Sequence, residues 1–162
     1  MGSVTLREIT TSNRETVLAL GVAPEQEQFV GTVAGALRDA DEIPQAKAWY
    51  RAVYADDEPV GFVMLSWNAV PDPPRIIGPW FLWKLIVDER HQGEGFGREA
   101  VRLVSEVASA NGAERLFTSC VPGEHGPESF WRHMGFAPTG DYDENGEPIL
   151  VLDLSEHHSS IR

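Results

Sequence analysis

The chain has 162 residues, of which 42% are hydrophobic, and a single cysteine, so it suits one globular domain and excludes an internal disulfide. Its net charge of −12 argues against nucleic acid as a partner, because phosphate binding requires a basic surface. The negative electrostatic field of such a protein attracts polycationic small molecules, which are therefore natural partners. An acidic surface that serves only solubility is the alternative. No apolar run reaches the eighteen or so residues of a membrane span, so we expect no membrane contact.

The first quarter of the chain predicts one strand and two helical segments. Residues 4–9 alternate in polarity and predict a strand. The sequence Ser12-Asn13-Arg14-Glu15 predicts a capping box that opens a short helix to about Leu20. Pro24 begins a second helical segment, whose apolar residues recur at helical spacing up to the acidic stop at Asp41-Glu42.

Three strands and a loop follow. Residues 48–55 and 59–67 predict a hairpin whose turn is the acidic stretch 56–58. Residues 68–79 contain four prolines and predict a loop over or beside a cleft. The apolar run 81–87 predicts a buried fourth strand.

The second half of the chain alternates helices and strands around one amphipathic helix. This helix begins near residue 96 and ends at Asn111-Gly112. The remaining predicted elements are a strand at 115–120, a short helix at 128–134, a strand starting at 135 and a last strand at 149–154. Their order predicts an α+β fold with a mixed sheet. We expect one domain over residues 1–155 and a flexible tail over 156–162.

The junction between the fourth strand and the amphipathic helix holds the sequence Gln92-Gly93-Glu94-Gly95-Phe96-Gly97-Arg98. Glycines at a helix N-terminus expose backbone N–H groups to a ligand, and the helix dipole favours an anion there. A phosphate or pyrophosphate is therefore the expected ligand. A Walker loop requires Lys and then Ser or Thr after its last glycine, and here Arg98 follows Gly97, so this loop is excluded. A Rossmann fingerprint that starts at Gly93 requires a glycine at position 98, where Arg98 stands. A tight turn without a ligand stays an alternative.

This pattern resembles motif A of the GNAT superfamily of N-acetyltransferases, Gln/Arg-x-x-Gly-x-Gly/Ala, which Gln92, Gly95 and Gly97 satisfy. Residues 130–136, FWRHMGF, resemble the F-Y-x-x-x-G-F of motif B. Residues 4–10 and 59–63 resemble the first and third strands. The whole chain looks most like the bacterial spermine/spermidine N-acetyltransferases of this superfamily.

The resemblance implies a mixed, mostly antiparallel sheet of about seven strands flanked by about four helices. Strands four and five are expected to run parallel and splay apart, with the pantetheine arm in the gap. It further implies acetyl-CoA as cosubstrate and no metal. The implied cofactor-binding residues are the backbone of Leu85, Ile86 and Val87 and the loop residues Gln92, Gly93, Glu94, Gly95, Phe96, Gly97 and Arg98. For Arg98, a surface pair with Glu94 is the alternative.

The expected acid and base depart from the family pattern. Motif B normally offers a tyrosine as general acid, and Trp131 stands there instead; indole cannot supply a proton at neutral pH. In some relatives a glutamate on the fourth strand is the base, and here Trp83 and Lys84 occupy the candidate positions for it. The catalytic candidates that remain are Glu124 and His125. For each of them, a solvated loop residue is the alternative.

The amine site is expected to use aromatic rings and carboxylates. Trp83 and Trp49 could attract an ammonium group, and Glu25 and Glu27 could pair with a polyamine's distal nitrogens, as could the acidic helix end at 41–42. For each residue a core position or a solvated surface is the alternative. Cys120 is expected to be a small buried hydrophobic residue, not an acyl carrier.

Three functions follow from these observations. The first is N-acetylation of a primary amine, a polyamine such as spermidine or spermine. The second places that amine on an antibiotic or amino-sugar, and the third is a non-catalytic sensor of acyl-CoA. The absence of an apolar signal segment and the lone cysteine favour the cytoplasm. Because relatives in this superfamily often dimerise, the resemblance also implies a homodimer.

Overall fold

The structure is a computed structural model, and it describes residues 3–122 and 127–155, without the side chains of residues 28 and 29. A seven-stranded sheet has the order β1-β2-β3-β4-β5-β7-β6. The strands are β1 (Val4–Arg7), β2 (Ala48–Ala55), β3 (Glu58–Ser66), β4 (Phe81–Val87), β5 (Arg115–Ser119), β6 (Ala137–Tyr142) and β7 (Pro148–Asp153). The α-helices are α1 (Arg14–Leu18), α2 (Glu27–Val30), α3 (Val33–Glu42), α4 (Phe96–Ala110) and α5 (Glu128–His133).

All neighbouring strands pair antiparallel except β4 and β5, which run parallel. Their ladder holds only two pairs, Phe81 with Phe117 and Leu82 with Thr118. At the last pair of this ladder, the Thr118 hydroxyl also donates to the Leu82 carbonyl at 2.9 Å. The two strands separate beyond it, so the predicted α+β fold with splayed fourth and fifth strands is confirmed.

The sheet is covered on both faces. On the face that we name the α4 face, α4 and α5 pack on the sheet, and Leu82, Leu116 and Val104 belong to one buried cluster. On the opposite face, named the α3 face, a second cluster joins α1 and α3 to Phe62 and Ile86. Each fully buried side chain of this kind contributes about 1.5–3 kcal/mol, so the two clusters fix the sheet between two helical layers.

Two details of the first quarter differ from the prediction. The expected single helix over 24–42 is broken at Gly31, whose φ of 74° only glycine adopts readily. Thr32 then caps α3, because its Oγ1 accepts the N–H of Gly35 at 3.0 Å. The predicted capping box is also wrong: Asn13 is the N-cap of α1, and its Oδ1 accepts the N–H of Thr10 instead of one inside the helix.

The proline-rich loop lies beside the open end of the sheet. Within it, Asp72 and Ile76 form an isolated antiparallel bridge. The N–H of Glu144, in the turn between β6 and β7, donates to the carbonyl of Pro74 at 3.0 Å. The loop is thereby joined to the β6–β7 turn and closes one side of the space beyond β5. Across the described ranges, 3–122 and 127–155, no helix is long and apolar enough to cross a membrane.

Candidate active site

A cavity of about 1080 Å³ lies where β4 and β5 separate. Its walls come from β4, the start of α4, the end of β5 and α5 on one side. On the other side they come from α2, α3, the proline-rich loop and the β6–β7 turn. The volume suits an extended cofactor together with a small substrate, and the cavity reaches both faces of the sheet through the splay.

The glycine-rich loop, residues 92–98, forms a cradle at the N-terminus of α4. Gly93 and Gly95 have φ of 80° and 87°, which confirms that these turns require glycine. Gly95 is the N-cap of α4 and has no side chain to cap the first N–H groups. A Cβ placed on Gly93 would meet nothing within 4 Å, so a ligand can approach the backbone. The cradle therefore fits an anion such as a pyrophosphate.

Buried Asp88 holds the strand end in front of this cradle. Its carboxylate accepts the N–H of Gly21 at 3.0 Å and the Nε of Arg90 at 2.7 Å. Burial alone would raise the pKa of Asp88, but these hydrogen bonds and the charge of Arg90 outweigh it and hold the pKa below its ordinary value. Asp88 thus joins the loop after α1, on the α3 face, to the turn that leads into the cradle.

Gln92 fixes the cradle to its surroundings. Its Nε2 donates to the carbonyl of Val87 at 3.1 Å and to Oε1 of Gln26 at 3.1 Å. A Cβ placed on Gly97 would stand 3.5 Å from both Phe130 and Val87, so the first turn of α4 packs closely on β4 and α5. Both contacts set the distance between the end of β4 and the helix N-terminus.

β4 turns one backbone edge toward the cavity. Beyond Leu82 no residue of β5 pairs with it in the part of the chain described here. The ladder to β3 shifts at this point, since Leu65 pairs with Leu82 and Met64 pairs with Lys84, which leaves Trp83 as the extra residue of a bulge. A β-bulge changes the direction of a strand locally, and here it lies at the mouth of the splay.

Most cofactor-binding residues proposed from sequence surround this one cavity. Its lining includes the side chains or backbone of Leu85, Val87, Gln92, Gly93, Gly95, Phe96, Gly97 and Arg98. The side chain of Ile86 is instead fully buried in the α3-face cluster. Glu94 does not line the cavity among the described residues, and its carboxylate lies 3.6 Å from Nδ1 of His91. Arg98 is exposed.

The proposed substrate residues divide in the same way. Trp83 and Glu27 line the cavity, whereas Glu25 is not among its described lining residues. Trp49 packs against Trp67 at a ring distance of 5.4 Å, away from the cavity. The two catalytic candidates, Glu124 and His125, lie outside the described residues.

The buried side chains near the splay include Trp131 and Cys120. The Trp131 ring is 6% exposed and lies edge-on to Phe130 and Phe136. Cys120 is buried, as predicted, and burial together with the charges of Glu128 and Glu147 raises the pKa of its thiol to about 11. A thiol that stays protonated is a poor nucleophile, so the arrangement does not support a Cys120 acyl carrier. In the described ranges no group of residues could hold a metal.

Sequence reasoning missed Glu147, in the turn before β7. Its Oε1 accepts the hydroxyl of Ser119, the last residue of β5, at 3.3 Å. Burial, followed by the charge of Asp143, raises the pKa of Glu147, while the Ser119 hydroxyl and Lys84 oppose this change. No local motif surrounds Glu147 in the sequence; the antiparallel register of β5 and β7 brings it to the cavity.

Known proteins share both the sequence and the fold. Spermine/spermidine N(1)-acetyltransferase of Bacillus subtilis (strain 168) is 27% identical over 155 residues, which cover 94% of this chain and 99% of that protein. The crystal structure of aminoglycoside acetyltransferase AAC(6′)-Ib in complex with coenzyme A superimposes with a TM-score of 0.73 at 16% identity, covering 99% of this chain and 100% of that one. PaiA N-acetyltransferase from Thermoplasma acidophilum, in complex with coenzyme A, gives 0.61 at 12% identity and covers 93% and 99%.

The acetyltransferase (GNAT) family profile matches residues 23–136, which span β2 to β5 with α4 and include the whole cradle. The matched segment thus contains the parallel pair, the bulge and the helix N-terminus described above. The chain belongs to the acetyltransferase (GNAT) family, as an acetyl-CoA-dependent N-acetyltransferase.

Proposed function

We propose that this protein acetylates a primary amine of an aliphatic polyamine such as spermidine or spermine. One observation carries the proposal: the cavity holds an anion-binding cradle at one end and carboxylates at the other. The lining carboxylates are Glu27, Asp39, Asp143, Glu144 and Glu147. Asp39 comes from α3 and three of the carboxylates come from the β6–β7 turn, whereas Glu27 in α2 follows Gln26, which contacts Gln92 of the cradle.

The cradle would hold the pyrophosphate of acetyl-CoA through backbone N–H groups, with Arg98 adding a positive charge. The free edge of β4, at Leu85, Ile86 and Val87, would bind the pantetheine arm and donate to the oxygen that becomes negative during acyl transfer. When bound, acetyl-CoA supplies an activated thioester. The residues present fit this group, because the helix N-terminus lacks a capping side chain and the cavity is open to the backbone of Gly93.

The carboxylates suit a polyamine because alkylammonium groups, with a pKa of about 10.4, are charged at neutral pH. Lys84 and Arg75 also line the cavity, so five acidic groups outnumber two basic ones outside the cradle. Trp83 adds an indole ring on the same side. Glu25 is also a predicted partner of a distal nitrogen of the polyamine. The Bacillus subtilis relative matches almost the whole chain and is named a spermine/spermidine N(1)-acetyltransferase, which supports the same substrate class.

Release of free coenzyme A, followed against a panel of amines, tests the proposal. We expect turnover with spermidine and spermine and a Michaelis constant for these amines that rises with salt, because screening weakens the attraction to carboxylates. Turnover confined to an aminoglycoside would replace the polyamine with an amino-sugar antibiotic. Tight binding of acetyl-CoA without turnover of any amine would contradict the proposal.

The predicted roles of Glu124 and His125 need a separate experiment. The sequence makes each of them a candidate for the base that takes a proton from the amine, in competition with the carboxylates that line the cavity. The pH–rate profiles of Glu124→Gln and His125→Ala, measured with the preferred amine, should lose or shift the ascending limb if either acts this way. Unchanged ascending limbs in both variants would remove both residues from the mechanism.

A further inference from the structure

The side chains around the splay point to two different faces. Leu116 on β5 and Cys120, directly after it, belong to the cluster of the α4 face, so Ser119 points to the α3 face. On β4, Leu82 belongs to the α4-face cluster, and Trp83 packs with the α3-face cluster. The cradle lies at the N-terminus of α4, on the α4 face. A group reaching through the splay from the cradle therefore emerges on the α3 face, beside Ser119 and Trp83.

Glu147 lies on the α3 face beside Ser119, where the separated strands open. If the parallel ladder of Phe81 with Phe117 and Leu82 with Thr118 continued, Ser119 would pair with Trp83, the bulge residue. The ladder stops there, and the Ser119 hydroxyl instead donates to the Glu147 carboxylate at 3.3 Å. Glu147 is also held from its backbone, since its N–H donates to Oδ1 of Asp143 at 2.9 Å. The carboxylate thus lies on the α3 face at the end of β5 and lines the cavity that opens where β4 and β5 separate.

We propose that Glu147 receives the reacting ammonium group on the α3 face and takes the proton that the nitrogen must lose before it attacks. This inference rests on the proposed amine acetylation and adds to it a catalytic residue and the side from which the amine enters. The half-buried carboxylate is fixed by Ser119 and Asp143, so it needs little reorganisation to accept the ammonium.

The proton and electron balance of the step is complete. One proton passes from R–NH₃⁺ to the Glu147 carboxylate, and the freed nitrogen pair forms a C–N bond with the thioester carbonyl carbon. The carbonyl π pair moves to oxygen and returns as the C–S bond breaks, which leaves the electron pair on sulfur. A second nitrogen proton passes to that sulfur, and Glu147 releases its proton to water. The products are the acetamide, the thiol of coenzyme A and one proton.

The surroundings of Glu147 suit a proton acceptor. Burial and the neighbouring charge of Asp143 raise its pKa, so it binds a proton more firmly than an exposed glutamate does. Lys84 on β4 and the Ser119 hydroxyl on β5 favour its charged form and oppose part of this increase. Lys84 reaches the same face, because its Nζ lies 3.5 Å from a Cβ placed on Gly31, before α3. The buried Cys120 thiol stays protonated beside it.

Glu147→Gln tests the inference, since the amide oxygen can still accept the Ser119 hydroxyl while the charge and basicity are lost. The matched control is Asp141→Asn, which makes the same charge change on the same hairpin, at an exposed position outside this cavity. With spermidine near pH 7.5, we expect kcat of Glu147→Gln to fall about 100-fold and that of Asp141→Asn to stay within twofold. The deficit should narrow toward pH 10, where the amine loses its proton to water.

Two further measurements separate this role from a structural one. Calorimetry should give both variants the wild-type affinity for coenzyme A, and spermidine should bind the coenzyme A-loaded Glu147→Gln about three- to tenfold more weakly than the control. Glu147→Asp, which restores a carboxylate, should recover part of kcat. If the wild type turns over spermidine and Glu147→Gln keeps kcat within twofold, the inference fails while the proposed function stands. If the wild type acetylates no amine, the proposed function fails first.

Discussion

The two ends of the cavity are built in different ways. The cradle consists of seven consecutive residues, 92–98, and offers mainly backbone N–H groups and a helix dipole. The opposite end consists of side chains from α3, β4 and the β6–β7 turn. One end therefore depends on local backbone conformation, and the other depends on how distant parts of the chain are brought together.

This difference predicts that the two ends respond differently to substitution. Backbone donors do not depend on side-chain identity, provided that glycine occupies the positive-φ positions of the turn. The α3-face end depends on single side chains, so each substitution there alters the charge or shape that the substrate meets. A protein of this construction can keep one cosubstrate and change its acceptor with few mutations.

Gly95→Val should produce the largest effect and should affect the cradle alone. Gly95 has φ of 87° and is the N-cap of α4, so a β-branched residue must rebuild the turn that aims the N–H groups. We expect the dissociation constant for acetyl-CoA to rise about 100-fold, or about 2.8 kcal/mol. Calorimetry measures it, and the Michaelis constant for the amine should change little.

Gly140→Val is the matched control for that variant. Gly140 has φ of 91° in β6, and a Cβ there would meet nothing within 4 Å. It introduces the same backbone strain away from the cavity, so acetyl-CoA should bind as in the wild type. Equal losses of affinity in the two variants would show that strain, and not the cradle geometry, controls binding.

Asp88→Asn should disturb both ends together, because Asp88 joins Gly21 on the α3 face to Arg90 before the cradle. We expect a loss of about 2 kcal/mol in the free energy of unfolding at pH 7, from charge-assisted hydrogen bonds to a buried carboxylate. Denaturant titration measures it. Asp57→Asn, at a 99% exposed side chain, is the control and should change stability by less than about 0.5 kcal/mol.

The pH dependence gives this prediction a sign. The pKa of Asp88 is lower in the folded protein than its ordinary value of 3.8, so its contribution is complete above that pH and is lost as the pH falls through the folded pKa. The stability difference between the wild type and Asp88→Asn should therefore shrink only below about pH 4. A difference that stays constant down to pH 2 would mean that the carboxylate charge does not stabilise the fold.

The sequence predicted the strand, turn and helix that form the cradle, because their physics is local. Alternating glycines after an apolar strand and before an amphipathic helix indicate a helix N-terminus with exposed N–H groups, and the structure has α4 starting at Phe96. Strands β2 and β4 match their predicted bounds for a related reason: each is a run of strand-forming residues between clear turn signals.

The opposite end could not be predicted in this way. Glu147 reaches Ser119 across 28 positions of sequence, and only the pairing of Ser119 with Ile149 brings the two together. The break between α2 and α3 did have a signal, the adjacent Gly31 and Thr32, but helical periodicity on both sides concealed it. That break lies at the cavity, because Gly31 and Lys84 both line it and the Lys84 Nζ lies 3.5 Å from a Cβ placed on Gly31.

Arg98→Ala should sharpen the comparison with a smaller effect. Arg98 is exposed in the first turn of α4 and lines the cavity, so its charge should add to the backbone donors without replacing them. We expect acetyl-CoA to bind about tenfold more weakly, with a weaker salt dependence than in the wild type. Arg102→Ala is the control, because Arg102 pairs with Glu99 and Glu106 on the same helix. Equal losses would assign the effect to the charge of the helix as a whole.

Trp131→Tyr should have the smallest effect and asks whether the cradle side needs a proton donor. Trp131 is buried between Phe130 and Phe136, and tyrosine can keep most of this aromatic contact. We expect acetyl-CoA affinity and kcat within about threefold of the wild type, because in the proposed step the leaving thiolate takes its proton from the attacking nitrogen and needs no phenol. Trp131→Phe, which keeps a ring but adds no hydroxyl, is the control. If kcat rises tenfold in the tyrosine variant and not in the phenylalanine variant, protonation of the leaving thiolate limits the rate. The rate-limiting proton transfer would then lie on the α4 face and not on the α3 face.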